Sequence, residues 1–528
     1  MTPPILVIIS DRKGWELPCV DVIRAAAPSR LYVAVICTPE NGATNAPCEK
    51  ARAAAAAVDR PFELRTIVRV GSFGERFALV NAVNWFFQNE PEGIVLQCDC
   101  VPAPDFFSFC AWALAAYRDE KRVWHLNGRN LDAPTRLFGD HSVGFSSLAQ
   151  AYGWASWRDR WQHYVGNVFD LARQATDLAP RWRISTVARD NMLTELDRLK
   201  GDADGWFAQW QMTILNHGGL CIVPRVELAA PVPISAVNNV AEASAGVTEE
   251  FSPQLSFRPP RFDPAITSWF ETQMGLANWQ SAAIGRLGRS RRKMLTFRDE
   301  RLSRILFRNA ERVVVASTGR NGSTMLHNAL AEGFVRHSFG RLADTLIGRE
   351  LARLSKRFVD RLVDVPKFPE PIQKTHDLYD DAAPASAKYI FVYGDPLEAA
   401  QSVESMVAVR GEIWLERHLY HLRSSGLLSE LYRRDILNYE KQLGCWMGQE
   451  RYNVLPVHYE DLWRRTDEIA EFVGFPLSLP ARSMRTPKPE PKLIDEALFE
   501  RLREVQERYS QMLLSRNGDN DLSSDDPG

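Results

Sequence analysis

The stretch VVVASTGRNGSTML, residues 313 to 326, decides how the second half of this chain folds. Its β-branched residues are typical of a buried strand, and the glycines and polar residues that follow predict a turn. A helical pattern begins after Gly322. A strand that enters a helix through such a turn directs backbone N–H groups at one point, where the helix dipole adds positive charge. The sequence therefore predicts an anion-binding loop or, as the simpler alternative, a strand–turn–helix without a ligand.

The polar residues of this loop suit a phosphate or a sulfate group. Arg320 adds a full positive charge, and Ser323 and Thr324 add hydroxyl groups. The loop differs from the ATP-binding Walker A loop because only two residues separate Gly319 from Gly322, and no lysine follows the second glycine. An ATP-dependent kinase is therefore disfavoured.

Three later stretches repeat the pattern of a strand followed by polar residues. They are PIQKTHDLY (371–379), AKYIFVYGDPLEAAQSVESM (387–406) and YNVLPVHYEDLWRRTDEIAEFVGFPL (452–477). Together with the loop, and in this order and spacing, they resemble the sulfotransferase family that uses 3′-phosphoadenosine 5′-phosphosulfate (PAPS). The resemblance covers roughly residues 310 to 480 and implies a P-loop-like α/β domain.

The resemblance also implies roles for individual residues. The Lys-Thr-His motif of the family matches residues 374–376, so that His376 would be the catalytic base and Lys374 would stabilise developing charge. The serine that contacts the 3′-phosphate matches Ser402. The loop that binds the 5′-phosphosulfate matches Thr318, Gly319, Arg320, Asn321, Gly322, Ser323 and Thr324.

These residue types suit sulfuryl transfer, an in-line displacement that depends on positioning and charge stabilisation. The acceptor hydroxyl loses a proton as it attacks, and a histidine is the natural base near neutral pH. Backbone N–H groups and Arg320 would stabilise the developing negative charge without a metal. Outside such a motif, a histidine like His376 is more often a hydrogen-bonded core or surface residue, and Lys374 suits a solvent-facing strand end equally well.

One position departs from the family pattern. The strand YIFVYGDP usually ends in Arg-x-Pro, and that arginine holds the 3′-phosphate, but this chain has Gly394 there. The basic residues that offer a substitute are Arg410, Lys388, Arg482, Arg485 and Lys488. Weak affinity for the donor, or loss of catalysis, are the alternatives.

Residues 1–228 alternate short apolar runs with helical patterns, which is typical of a mostly parallel α/β layer. The predicted strands are 5–10, 30–36, 93–99, 122–128 and 219–228, and the predicted helices are 77–89 and 106–120. The segment NAVNWFFQNEPEGIVLQCDCVPAPDFFSFCAWAL (81–114), with 152–161 and 204–224, resembles bacterial glycosyltransferases of the GT-A, family-2 type. The resemblance spans nearly all of residues 1–230 and implies a nucleotide-diphospho-sugar transferase fold.

In GT-A enzymes, acidic residues at this strand end hold a divalent metal that neutralises the diphosphate of a nucleotide-sugar. The family pattern is Glu-Asp-Asp, whereas this chain has Gln97, Cys98 and Asp99, which leaves Asp99 as the implied metal ligand. The carboxylate that precedes the family's Tyr-Gln-Trp block is also missing from residues 207–210. The domain is expected either to have lost sugar transfer or to retain it in an altered, bifunctional chain. Five tryptophans either pack in the core or stack on sugar rings: Trp154, Trp157, Trp161, Trp206 and Trp210.

The domain prediction has four parts: a GT-A-like domain at 1–230, a linker and basic helical segment at 231–308, a sulfotransferase-like domain at 309–516, and a disordered acidic tail at 517–528. A net charge of -2 gives no reason to expect nucleic acid as a partner. The sequence contains no transmembrane pattern, and its first residues predict a strand instead of a signal peptide, so we expect a cytoplasmic protein.

A sugar-handling domain on the same chain suggests a carbohydrate acceptor such as a polysaccharide, a lipid-linked sugar or a glycolipid. The leading hypothesis is thus a PAPS-dependent sulfotransferase. The alternatives are a metal-dependent glycosyltransferase with an accessory second domain, and a non-catalytic glycan-binding protein. The basic segment 284–309 is interpreted as a solvated helix face, with association to anionic lipid as the alternative.

Overall fold

The computed structural model describes residues 2–10, 20–37, 63–70, 75–97, 99–202, 205–231, 260–448, 451–482 and 494–521. The chain is an α/β protein, as the sequence predicts. It divides into two compact units, Met1–Leu287 and Gly288–Gly528.

The first unit is built on a mixed sheet. Its strands are β1 (Ile5–Ser10), β2 (Arg30–Cys37), β3 (Glu63–Val70), β4 (Glu92–Gln97), β5 (Cys100–Pro102), β6 (Val123–Asn127), β7 (Val143–Ser146), β8 (Trp154–Trp157), β9 (Leu220–Pro224) and β10 (Ala229–Pro231). Its helices are α1 (Val20–Ala26), α2 (Glu75–Asn89), α3 (Pro104–Tyr117), α4 (Arg158–Trp161), α5 (Val168–Leu178), α6 (Thr186–Asp202), α7 (Trp206–Asn216) and α8 (Pro264–Gln273). Helix α9 (Trp279–Leu306) includes the unit boundary in its range.

The main sheet of this unit has the strand order β3-β2-β1-β4-β8-β6-β9-β7. The neighbours among β1 to β4 are parallel, whereas β8 is antiparallel to both β4 and β6, and β7 is antiparallel to β9. The prediction of a mostly parallel layer missed β7 and β8 because each has only four residues and both are buried throughout. Such short strands show no alternation of apolar and polar side chains.

The sheet is covered on both faces. Alternate residues of β1 enter two different cores, with Ile5 and Val7 in one and Leu6 and Ile8 in the other. A strand that is buried on both sides reads as a continuous apolar run, which is why the sequence predicts β1 and β2 correctly. The predicted strand 219–228 is shorter in the structure and ends at Pro224.

The second unit contains a five-stranded parallel sheet. Its strands are β11 (Val313–Ser317), β12 (Lys356–Phe358), β13 (Ile372–Thr375), β14 (Lys388–Tyr393) and β15 (Val454–His458), in the order β12-β13-β11-β14-β15. The chain first extends the sheet on one side of β11 and then on the other. The carboxyl end of β11 is therefore a topological switch point, the place where open α/β sheets bind ligands.

The helices of this unit are α10 (Ser323–Phe339), α11 (Leu346–Leu354), α12 (Pro396–Arg410), α13 (Glu412–His421), α14 (Tyr439–Met447), α15 (Thr466–Val473) and α16 (Glu496–Asp521). Helix α16 includes the first residues of the predicted acidic tail, 517–521, and the rest of that tail lies outside the described residues. Among the described helices of the chain, none is long and apolar enough to cross a membrane.

Candidate active site at the carboxyl end of β11

The loop between β11 and α10 has an unusual backbone. Gly319, Arg320 and Gly322 have φ angles of 86°, 60° and 74°, all in the left-handed region. Glycine adopts this region freely, but an arginine does so at a cost, and such strain is characteristic of ligand sites. Left-handed residues within a tight turn direct backbone N–H groups toward one point, which makes an anion-binding concavity.

Both glycines are also required for space. A Cβ atom at position 322 would lie 2.4 Å from the ring of Tyr459, and one at position 319 would lie 2.8 Å from the ring of His418. The loop is therefore clamped between the element that follows β15 and helix α13, so its shape depends on distant parts of the unit.

The predicted loop residues divide into two groups. Arg320, Gly322, Ser323 and Thr324 line a cavity of about 380 Å³. Asn321 is buried and donates a 2.6 Å hydrogen bond from Nδ2 to Oγ1 of Thr318, which is buried too. The side chains of Thr318 and Asn321 thus brace the loop instead of facing the cavity.

Lys374, the last but one residue of β13, reaches the same cavity. Its Nζ donates to Oγ1 of Thr324 at 2.6 Å. Burial, and then the charge of Arg320, lower the pKa of Lys374 to about 8. The interpretation of Lys374 as a solvent-facing strand-end lysine is wrong, because the residue is only 8 % exposed.

His376 lies just beyond β13, and its imidazole is held in one orientation. Its Nδ1 lies 3.0 Å from the carbonyl oxygen of Ser317 and 3.0 Å from Oγ of the same residue. Because a carbonyl only accepts, Nδ1 carries the proton and Nε2 carries the lone pair. Burial, and then the charges of Lys374 and His418, hold the pKa of His376 well below its ordinary value. The ring is therefore a neutral imidazole with its lone pair on Nε2, and His376 is one of the residues that line the cavity.

Helix α13 supplies a group of residues that sequence reasoning missed. Trp414, Arg417, His418 and His421 all line the cavity. Their spacing places them on one face of a helix, and this periodic polar and aromatic face was the available signal. Arg410, at the end of α12, and Phe358 complete the lining.

The cavity is strongly cationic. Of the described residues that line it, four are arginine or lysine, three are histidine and none is acidic: Arg320, Lys374, Arg410, Arg417, His376, His418 and His421. The four arginine and lysine side chains repel one another unless an anion joins them. The arrangement suits a ligand with several negative charges.

His418 adds evidence for a polar ligand. Its ring is only 7 % exposed and stacks on Trp414 at 5.0 Å between centroids. Among the described residues, its Nε2 has no hydrogen-bond partner. Burial, and then the charge of Arg320, lower the pKa of His418 to about 3, so the ring is neutral. A buried, unsatisfied nitrogen is costly, and a bound polar group would relieve that cost.

Ser402 reaches the loop through Arg320. The Nε of Arg320 donates to Oγ of Ser402 at 3.0 Å, and the guanidinium lies 5.8 Å from the ring centre of Trp414. Burial, and then the neighbouring charge of Arg410, lower the pKa of Arg320. Arg320 is thus oriented by α12 and α13 before any ligand binds.

The structure explains why position 394 is a glycine. A Cβ atom there would lie 2.7 Å from Oδ1 of Asn321, so the side chain of Asn321 occupies the space that an arginine would need. The hydroxyl of Tyr439 also donates to the carbonyl oxygen of Gly394. An arginine at this position therefore requires the side chain of Asn321 to move or to be replaced by a smaller one.

Of the proposed substitutes for that arginine, Arg410 reaches the cavity. Lys388 pairs with Glu311 at 2.8 Å, and the register places Lys388 beside Val313, at the opposite end of the sheet. Arg482 pairs with Glu460. Lys388 is therefore wrong as a substitute, whereas Arg482 stays a prediction, and Arg485 and Lys488 lie outside the described residues.

The strand end that was expected to hold a metal in the first unit is different. Strand β4 ends at Gln97, and Asp99 lies in the turn before β5. Cys98 lies outside the described residues. Among the described residues, no group of three or more side chains could hold a metal ion. One carboxylate does not fit the oxygen-rich shell that Mg²⁺ or Mn²⁺ needs.

The five tryptophans belong to the core. Trp154, Trp157, Trp161, Trp206 and Trp210 are all at most 7 % exposed, and four of them enter one apolar cluster against the sheet. The alternative in which they stack on sugar rings is therefore wrong for the described conformation.

Comparison with known proteins adds no relative to this picture. No family model matches the chain, and no curated protein matches it. The geometry of the site is thus the main basis for a function.

Proposed function

We propose that the second unit transfers a sulfuryl group from PAPS to a hydroxyl group of a carbohydrate. The observation that carries the proposal is the loop 318–322, whose left-handed backbone opens onto a cavity lined by Arg320, Lys374 and His376. An anion site alone would need only the cations and the loop. The oriented neutral histidine beside them adds a base, and the combination favours transfer over simple binding.

The residues of the cavity fit the donor. Loop N–H groups and Arg320 would hold its 5′-phosphosulfate, while Ser402, with Arg410 in place of the family's arginine, would hold its 3′-phosphate. The cavity volume, about 380 Å³, lies within the range of small-molecule sites. When bound, PAPS would supply the sulfuryl group to the acceptor oxygen, with adenosine 3′,5′-bisphosphate as the leaving group.

The chain's own residues would act as follows. Nε2 of His376 would take the proton of the acceptor hydroxyl, and Ser317 would stabilise the resulting imidazolium through its carbonyl oxygen at Nδ1. Lys374 is placed to stabilise negative charge on the departing phosphate oxygen, with Thr324 orienting its amine. The low-dielectric surroundings strengthen both interactions.

The carbohydrate class of the acceptor rests on the resemblance of the first unit to glycosyltransferases. Because the metal-binding carboxylates are incomplete there, we propose that the first unit contributes acceptor binding and not sugar transfer.

Calorimetric titration with adenosine 3′,5′-bisphosphate tests the proposal. We expect wild-type protein to bind more tightly than about 1 mM, the affinity that corresponds to about -4 kcal/mol. Arg320→Ala should lose this binding, whereas the exposed Arg433→Ala should keep it. Adenosine 5′-monophosphate is the comparator for the 3′-phosphate. Absence of binding by the wild type would overturn the sulfotransferase function and favour the non-catalytic alternative.

A further inference from the structure

The second half of α9 has one buried side and one exposed side. Ser303 is fully buried, and its Oγ donates to the carbonyl oxygen of Leu354 at 2.8 Å. On adjacent positions, Asp299 pairs with Arg353 at 2.9 Å and Glu300 pairs with Arg357 at 2.8 Å. These contacts fix which side of the helix faces the second unit.

The opposite side, which we term the outer face, consists of Arg291, Met294, Phe297, Arg301, Leu302 and Ile305. Met294, Phe297 and Ile305 are 64 %, 65 % and 67 % exposed. Their separations of three and eight residues place them on the same side of a helix. A continuous row of large exposed apolar side chains is unusual in a soluble domain and marks an interaction site.

The second half of α9 also carries charges that are mostly of one sign. Residues 289–308 contain eight basic side chains and two acidic ones. Both acidic residues, Asp299 and Glu300, pair with arginines of the second unit. Arg291 and Arg301 are exposed among the apolar residues of the outer face. The outer face is therefore both apolar and positively charged.

We propose that the outer face of α9 binds the surface of an anionic lipid membrane. Phe297, Met294 and Ile305 would enter the boundary between headgroups and acyl chains, while Arg291 and Arg301 would extend to lipid phosphates. A second copy of the chain fits less well, because arginines of two such faces would meet without an acidic partner. This proposal goes beyond sulfate transfer and does not depend on it.

The test is co-sedimentation of the full chain with vesicles. We expect binding to vesicles of phosphatidylcholine with phosphatidylglycerol, little binding to phosphatidylcholine alone, and a decrease as salt is raised. Arg291→Ala and Arg301→Ala should each lower the partition coefficient about fivefold, the effect of one basic residue near an anionic surface. Phe297→Asp should abolish binding.

Matched controls lie elsewhere on the second unit. Tyr452 is 88 % exposed, so Tyr452→Asp makes the same chemical change away from α9. Arg433→Ala is the matched control for Arg291→Ala and Arg301→Ala. Both controls should bind like the wild type, and thermal midpoints should be unchanged in all variants because the altered side chains are exposed.

Three outcomes would overturn the proposal. One is absence of binding to anionic vesicles at low salt. Another is a dimer in sedimentation velocity that Phe297→Asp dissociates, which would assign the outer face to a second copy. The third is tighter binding to polyglutamate than to vesicles, which would assign it to an acidic protein.

Discussion

Both units end a buried strand in polar residues, but among the residues that the structure describes, the second unit surrounds that end with charges of one sign and the first does not. In the first unit, β4 leads to Asp99, and the described residues nearby add no further group that would complete a metal site. In the second, β11 leads to a loop on which cations from β13, α12 and α13 converge. A polar strand end therefore becomes a ligand-binding site only when neighbouring helices and strands place further charged side chains beside it.

The largest expected effect tests whether the second strand end is catalytic. His376→Ala should lower kcat for sulfate transfer about 10²–10⁴-fold, the usual contribution of a general base. Binding of adenosine 3′,5′-bisphosphate should change little, because His376 holds the acceptor proton and not the phosphates. Steady-state kinetics with calorimetry separate the two. An unchanged kcat in His376→Ala would show that the carboxyl end of β11 binds a ligand without His376 acting as a base.

Lys374→Met should lower kcat about 100-fold, the usual loss when one charge-stabilising donor is removed. Its amine is charged below a pKa of about 8 and neutral above it. In the wild type, kcat/KM for PAPS should therefore fall as pH rises through about 8, and this fall should be absent from Lys374→Met. Lys388→Met, at the opposite end of the sheet, should keep the wild-type profile. A profile shared by all three proteins would exclude Lys374 as its source.

A third test measures how much the burial of His418 in the cavity lowers the stability of the protein at acidic pH. The pKa of His418 is lowered to about 3 by burial, whereas an unfolded histidine titrates near 6.5. Below pH 6.5 the unfolded chain binds a proton that the folded chain does not, so stability falls as pH decreases toward 3. His418→Gln should reduce the loss between pH 6.5 and 5 by about 1.6 kcal/mol, since full protonation contributes about 1.4 kcal/mol per pH unit and the unfolded histidine is half protonated at pH 6.5.

Urea unfolding at both pH values measures this difference. The exposed His337→Gln is the control and should lose as much stability as the wild type. If His418→Gln followed the control, the ring would already accept a proton in the folded protein.

The smallest expected effect is at the first strand end. Asp99→Ala should leave nucleotide-sugar hydrolysis and adenosine 3′,5′-bisphosphate binding unchanged, because one carboxylate does not hold a divalent cation. The contrast between the two strand ends would be wrong if the wild type hydrolysed a UDP- or GDP-sugar in the presence of manganese and Asp99→Ala abolished that hydrolysis. That result would show that both strand ends are active and that the chain is bifunctional.

The sequence predicts the α/β class, the long buried strands and the loop at 318–324, because each has a local signature: an apolar run or a glycine-rich turn. It misses β7 and β8, which are short, and β3, whose apolar run is interrupted by charged residues. It also misses the face of α13 that carries His418. That face is visible as a helical period, but only the tertiary structure shows that it meets the loop. The geometry around Gly394 is likewise set by a residue 73 positions earlier in the chain, Asn321.

The contact between Gly394 and Asn321 has a consequence for how this sequence diverges. Position 394 is not expected to change to arginine first, since an arginine there collides with the present asparagine at 321. A smaller residue at 321 would open that space, so we expect substitution at 321 to precede an arginine at 394. Among descendants of a common ancestor, these two columns should vary as a pair, with an arginine at 394 found beside serine or glycine at 321.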